Sequence, residues 1–172
     1  QGWTKITKKQ ADLSESPLYI DDSPNLTLVE IRAKCRRMKQ QHGLKLIVID
    51  YLQLMSSGKR VESRQQEVSE FSRSLKLLAK ELDVPVIALS QLNRGPEQRS
   101  DKKPQLSDLR ESGSLEQDAD IVILLHRDRH TDGGDANNNA ELIVAKHRNG
   151  ATKTLTVLFE GAFSRFSDLA NL

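Results

Sequence analysis

The chain has 172 residues, 37% of them hydrophobic and 29% charged, with a formal net charge of +2 at pH 7. This length suits one domain, which we expect over residues 1–172, and no apolar run approaches the roughly 20 residues that span a bilayer. Residues 1–5 lack the pattern of a secretory signal, and the single cysteine, Cys35, excludes an internal disulfide or a cysteine-based metal cluster. We therefore expect a cytoplasmic protein without membrane contact.

The first part of the chain predicts strand, helix and strand. Residues 18–20 predict a short buried strand, followed by a turn-rich segment. Thr27 and Glu30 stand at the spacing of a capping box, which predicts a helix that Gly43 ends. Residues 44–49 are nearly continuously apolar, which is typical of a strand covered on both faces in a parallel sheet.

The second part predicts more alternation of helix and strand, and then a different pattern. A helix is predicted from about residue 63 to 82, a buried strand at 84–89, and another strand at 121–125. Near the end, Asn149 and Gly150 are a strong hairpin signal between two apolar segments. Together the elements predict a three-layer α/β domain, with a mostly parallel sheet and antiparallel strands at one edge.

Positive charge is concentrated in two polar segments, at 59–64 and 94–103. The cations are Lys59, Arg60 and Arg64 in the first segment, and Arg94, Arg99, Lys102 and Lys103 in the second. Such clusters can contact phosphates, but they are also typical of a solvated surface. The small net charge does not indicate a nucleic-acid partner by itself.

One acidic residue, Asp50, stands at the carboxyl end of the apolar strand that residues 46–49 predict. Ligands of open α/β sheets bind beside that end, and a carboxylate there can hold Mg²⁺ next to nucleotide phosphates. An aspartate that merely caps the next turn would give the same pattern. The strand and its acid leave both interpretations open.

Five segments resemble motifs of the DnaB family of replicative DNA helicases, in family order. They are residues 49–55 (IDYLQLM), 85–94 (PVIALSQLNR), 108–120 (DLRESGSLEQDAD), 145–150 (AKHRNG) and 163–166 (FSRF). The resemblance covers essentially the whole chain. It implies the carboxy-terminal motor domain of such a helicase, with a RecA-like P-loop NTPase fold.

The resemblance also implies which residues act on ATP. Asp50 corresponds to the Walker B acid, a Mg²⁺ ligand, and Gln91 to the glutamine that senses the γ-phosphate and relays its state toward DNA. An amide suits that task because it both donates and accepts hydrogen bonds, although a glutamine that satisfies loop backbone is the alternative.

A second set of nucleotide contacts is implied near the predicted hairpin. Lys146 and Arg148 alternate along a strand, so that both side chains project to one face. The resemblance implies a finger that reaches ATP on the neighbouring subunit and stabilises the transition state. The alternative is an edge strand that its charges protect from aggregation.

The resemblance places DNA contacts at Arg110, Glu111 and Gly113, on a loop that follows single-stranded DNA in a central channel. Gly113 would let the backbone approach a phosphate closely, Arg110 would pair with it, and Glu111 would orient Arg110 or offer the loop backbone. An Arg–Glu ion pair on a turn is the alternative. Residues 56–64 correspond to a second, less constant channel loop.

No Gly-x-x-x-x-Gly-Lys-Ser/Thr sequence occurs in the chain. The family carries this phosphate cradle upstream, so we expect an incomplete domain that lacks the first strand and the P-loop and is inactive alone. The full-length protein is expected to be a homohexamer that uses ATP and Mg²⁺ to move on single-stranded DNA and unwind the duplex at the replication fork. Primase and a helicase loader are the further partners expected, in a bacterial-type, nucleoid-associated cytoplasmic setting. The alternatives are another RecA-like ATPase, such as a recombinase, or a non-catalytic fragment that binds DNA or a loader.

Overall fold

The computed structural model describes residues 2–56, 63–127 and 138–169, without the side chains of residues 2, 98 and 110–113. The helices are α1 Gly2–Ser14, α2 Leu28–His42, α3 Arg64–Leu82, α4 Gly95–Gln98 and α5 Gly113–Asp118. The strands are β1 Ile47–Ile49, β2 Val86–Ala88, β3 Ile121–His126, β4 Asn139–His147, β5 Lys153–Glu160 and β6 Arg165–Asp168. Three 3₁₀-helices cover Leu52–Leu54, Leu106–Ser112 and Gly161–Phe163. None of the described helices has the length and apolar character that crossing a bilayer requires.

The start and end of α2 follow from its own sequence. The Thr27 hydroxyl accepts a hydrogen bond from the Glu30 amide at 3.3 Å, and the Thr27 amide donates to the Glu30 carboxylate at 2.8 Å. Gly43 ends the helix in the left-handed region, with φ at 65°, and its amide donates to the Lys39 carbonyl. The predicted capping box and the predicted end of the helix are confirmed.

The described strands form two sheets. β1 and β2 are parallel neighbours, with Ile47 opposite Val86, and β3, β4, β5 and β6 form an antiparallel sheet in chain order. The predicted hairpin around Asn149 and Gly150 is confirmed, since β4 and β5 pair on either side of it. The α/β class is confirmed as well, although the described parallel sheet has only two strands. The described antiparallel part is therefore larger than the sequence predicted.

Helix α3 supplies the largest part of the core. Ser63 caps its start through a hydrogen bond from the Gln66 amide, and its buried stripe faces the parallel sheet. The core cluster consists of Ile47, Leu52, Met55, Phe71, Leu75, Leu78, Leu82 and Val84. Phe71 and Leu52 are completely buried, so the 3₁₀-helix that follows β1 is held against α3.

One predicted buried strand is wrong, and one face of the parallel sheet is exposed within the described residues. Residues 18–20 form no strand, and Leu18 and Ile20 are 64% and 83% exposed. The expected cover on both faces of the parallel sheet is also not found, because Val48 and Ile87 are 57% and 52% exposed within this chain. An apolar run shows that a segment can be buried, but it does not show what covers it.

Candidate nucleotide site and cationic pair

Asp50 lies where the sequence placed it, immediately after β1 at the carboxyl end of the parallel sheet. Its side chain is exposed, and the peptide bond that joins it to Tyr51 is cis. Among the described residues, no hydrogen bond or ion pair involves its carboxylate. The carboxylate is therefore available to a ligand at this edge of the sheet.

Gln91 comes to the same edge, because β2 is parallel to β1 and both carboxyl ends meet there. Main-chain hydrogen bonds continue past the strands, from Leu89 to Ile49 at 2.9 Å and from Leu52 to Leu89 at 2.9 Å. The Gln91 side chain is exposed and forms no hydrogen bond within the described part of the chain. A cavity of about 180 Å³ adjoins it, with Gln53 also in its lining.

The main chain of Gln91 has a partner that the sequence analysis missed. The Gln53 side chain accepts from the Gln91 amide at 3.3 Å and donates to the Gln91 carbonyl at 3.2 Å. Gln53 lies three residues beyond Asp50, within the first segment that resembles DnaB. Only the resemblance could have drawn attention to it, because no local rule assigns a glutamine in a turn to a distant backbone.

Lys146 and Arg148 lie together at the end of β4, beside helix α5. Lys146 Nζ donates to the carbonyls of Glu116 and Gln117, at 2.5 and 3.1 Å. Arg148 directly follows β4, and its Nη2 donates to the same Gln117 carbonyl at 3.1 Å. The shared acceptor shows that both cations project to one side, as predicted.

Asp120 balances part of this positive charge. Its carboxylate pairs with Lys76 and lies 3.7 Å from Arg148 Nε. The hydrogen bond from Lys76 is the main reason that the pKa of Asp120 is below its ordinary value, and the charges of Arg148 and Lys146 lower it further. The Arg148 side chain is nevertheless 51% exposed, so its guanidinium is not enclosed in the fold.

The candidate DNA-binding residues lie on a helical segment. Arg110 and Glu111 belong to the 3₁₀-helix Leu106–Ser112, and Gly113 begins α5. The resemblance placed them on a loop, and the structure gives this segment helical backbone. The three side chains lie outside the described part, so their roles stay predictions. Residues 57–62 of the second expected channel loop also lie outside the described residues.

Arg64, at the end of that second segment, takes part in the fold. Its guanidinium donates to the carbonyls of Gln53 at 2.7 Å and Met55 at 3.1 Å, and it pairs with the carboxylate of Glu67. The interpretation of Arg64 as a phosphate contact is weakened, because its donors already hold the turn after β1.

The cations of the segment 94–103 divide into two groups. Arg99 forms a two-point ion pair with the buried carboxylate of Asp108, at 2.9 and 2.5 Å, which raises the pKa of Arg99. Lys103 pairs with Glu141 at 2.7 Å. Arg94 and Lys102 are exposed. Arg99 and Lys103 therefore form ion pairs within the fold, whereas Arg94 and Lys102 lie on the surface.

A metal ion at this edge of the sheet would have few protein ligands. No group of three or more His, Cys, Asp or Glu side chains suited to a metal occurs within residues 2–56, 63–127 and 138–169. Mg²⁺ is commonly held by one or two carboxylates, together with phosphates and water. The exposed carboxylate of Asp50 fits that mode of binding.

Comparison with solved structures identifies the class of protein. One solved ATPase domain superposes with a TM-score of 0.90 at 44% identity, over 97% of this chain and 60% of that chain. A second solved structure is that of a DnaB-like replicative helicase, described together with its interactions with primase. It superposes with a TM-score of 0.89 at 44% identity, over 97% of this chain and 42% of that chain. The fold is that of a RecA-like ATPase domain.

The sequence comparisons identify the family. The chain belongs to the DnaB-like helicase C-terminal domain family, whose model matches residues 1–168. It is 70% identical over 169 residues to the replicative DNA helicase DnaB of Leifsonia xyli. The alignment covers 98% of this chain and 37% of that protein. It is 67% identical to DnaB of Mycobacterium leprae, in an alignment that covers 98% of this chain and 28% of that protein. The chain thus spans about a third of the length of these relatives.

Proposed function

We propose that this chain is part of the motor of a ring-forming replicative helicase, which couples ATP hydrolysis to movement along single-stranded DNA. The observation that carries the proposal is that two sets of candidate nucleotide contacts lie on different sheets. Asp50 and Gln91 lie at the edge of the parallel sheet, whereas Lys146 and Arg148 lie at the end of β4 in the other sheet. No hydrogen bond or ion pair joins the two sets within the described residues.

Each set has a task in a site shared between neighbouring subunits. Asp50 would hold Mg²⁺, which would supply neutralisation of charge on the phosphates of ATP. Gln91 offers its amide to the γ-phosphate of the same nucleotide. Lys146 and Arg148 come from the adjacent subunit, where a charged phosphate is a stronger acceptor than the carbonyls of residues 116 and 117 that they contact in this chain. Arg148 also has the Asp120 carboxylate 3.7 Å from its Nε, so its other guanidinium nitrogens are the ones that reach the phosphate.

The remaining roles follow from the family and from the helical segment. Arg110 and Gly113 contact the DNA backbone in the bore of a homohexamer, and Glu111 orients Arg110 or offers the loop backbone. This motor unwinds the duplex at the replication fork. Primase is the partner that the DnaB-like relative supports. A helicase loader is the second partner, and the setting is the nucleoid-associated bacterial cytoplasm.

The change Arg148→Ala in the full-length helicase tests the shared site. Turnover should fall by roughly a thousandfold or more, as for other trans-acting fingers. ATP affinity should stay nearly unchanged, because the nucleotide is held by the other subunit. Arg37→Ala is the matched control, since Arg37 is an exposed arginine on α2. A loss of affinity as large as the loss of turnover would show that Arg148 acts on nucleotide bound to its own chain.

The second candidate is a non-catalytic role for this chain alone. It is favoured by one observation, the lack of a phosphate cradle among the 172 residues. The chain by itself should then show no ATP turnover, and its binding of DNA should weaken with salt but not respond to nucleotide. Turnover by the purified chain that Asp50→Asn abolishes would contradict this.

A further inference from the structure

The pairing between β1 and β2 is continued beyond both strands by a side chain. The main-chain pairing extends as far as the hydrogen bond from the Leu52 amide to the Leu89 carbonyl, at 2.9 Å. The chain after β1 then turns into the 3₁₀-helix Leu52–Leu54 and leaves the direction of the strand. Its backbone therefore stops pairing before it reaches Gln91.

Beyond this point, the side-chain amide of Gln53 forms the hydrogen bonds that a neighbouring strand would form. Its oxygen accepts from the Gln91 main-chain amide, and its nitrogen donates to the Gln91 carbonyl and to Ser90 Oγ at 3.1 Å. A primary amide offers the same donor and acceptor as a peptide group, so this side chain replaces one unit of a neighbouring strand. Both main-chain groups of Gln91 are thereby held.

The backbone at Gln53 is itself held by the core and by Arg64. Leu52 and Met55, on either side of it, are 0% and 6% exposed in the core. The guanidinium of Arg64 donates to the Gln53 carbonyl at 2.7 Å, and Glu67 pairs with that guanidinium. The Gln53 amide therefore extends from a rigid base, which is what a positioning group requires.

We propose that Gln53 is a positioning residue for ATP hydrolysis, which sets the location of Gln91 relative to Asp50. This inference rests on the proposed function, in which Gln91 contacts the γ-phosphate. The arrangement fixes the backbone of Gln91 and leaves its side-chain amide exposed, without a hydrogen bond among the described residues. A misplacement of about 1 Å can cost on the order of a hundredfold in rate. Loss of the two hydrogen bonds between the Gln53 side chain and the Gln91 main chain should therefore lower ATP turnover.

A merely structural role predicts different behaviour. If Gln53 only satisfied loop backbone, its removal would lower stability, and any loss of turnover would be independent of the residue at position 91. If Gln53 acts through Gln91, its removal costs nothing further once the Gln91 amide is gone. A double-mutant cycle separates the two roles.

The test uses the full-length helicase with Gln53→Met, Gln91→Ala and the double variant. Methionine is close in size to glutamine but cannot form the two amide bonds, and Gln53→Glu, which keeps only the acceptor, is a second variant. Turnover of ATP with single-stranded DNA, ATP affinity, hexamer formation and thermal melting are measured. Gln41→Met is the matched control, because Gln41 is an exposed glutamine on α2.

We expect Gln53→Met to lower kcat about ten- to a hundredfold while ATP affinity changes less than about twofold. In the Gln91→Ala background, the same change should have no further effect on kcat. An undiminished effect in that background, or normal turnover of Gln53→Met, would overturn the positioning role and leave the role of Gln91 intact. Normal turnover of Gln91→Ala would instead overturn the sensor role, and the inference with it.

Discussion

Replacing Leu52 by alanine should weaken the fold at the point where the parallel sheet meets the candidate site. Leu52 is 0% exposed and lies in the core cluster with Phe71 and Met55, two residues after Asp50. Three buried carbon atoms are lost, which costs about 2.4 kcal/mol at roughly 0.8 kcal/mol each. The cavity adds to this cost, and the total for such changes is about 2–5 kcal/mol.

The neighbouring Leu54 provides the control. It lies in the same 3₁₀-helix but is 59% exposed, so Leu54→Ala removes little buried surface and should cost less than about 1 kcal/mol. Urea unfolding of both variants, followed by far-ultraviolet circular dichroism, measures the two free energies of unfolding. For a chain of this size, the melting temperature should fall by roughly 2–4 °C per kcal/mol. Equal losses for the two leucines, or a larger loss for Leu54→Ala, would refute the packing of Leu52 in the core.

Two further changes test ion pairs. Arg99→Met should lower the free energy of unfolding, because the buried Asp108 carboxylate loses its guanidinium partner. Arg94 is exposed, so Arg94→Met should leave the free energy of unfolding unchanged. Equal urea midpoints for the two variants would contradict this. Lys34→Met should raise the pKa of Asp21 from about 2 toward 3.8, because Lys34 is the main cause of the lowered value, and NMR titration of the carboxyl group measures it. In the unmutated chain this pair stabilises the fold above pH 3.8, and the contribution is lost as the pH falls toward about 2.

Local features of the fold could be predicted from the sequence because neighbouring residues determine them. The capping box of α2 needs only Thr27 and Glu30, and the end of that helix needs only Gly43. The helix α3 was also predicted, since the helical spacing of its apolar residues is a local feature. The exposure of Val48 in this chain was not predictable, because the sequence of a strand does not specify which distant segment lies against it.

The candidate site shows the same division. Asp50 could be placed by its strand, and the roles of Gln91, Lys146 and Arg148 came from the resemblance to DnaB, not from spacing. Gln53 was missed because its partner lies 38 residues away along the chain. Long-range pairs of this kind depend on how two strand ends meet, and no periodicity of the sequence reports that.

Mixing two inactive variants of the full-length helicase tests the shared site most directly. In the proposed ring, Asp50→Asn removes the acid from one side of each interface, and Arg148→Ala removes the finger from the other side. In mixed rings, an Arg148→Ala subunit next to an Asp50→Asn subunit forms an interface that retains both the acid and the finger. We therefore predict that ATP turnover returns when the two inactive proteins are mixed and reassembled. If mixed rings stay as inactive as either parent, although subunits have exchanged, Asp50 and Arg148 act within one chain and the proposal of a site shared between neighbours is wrong.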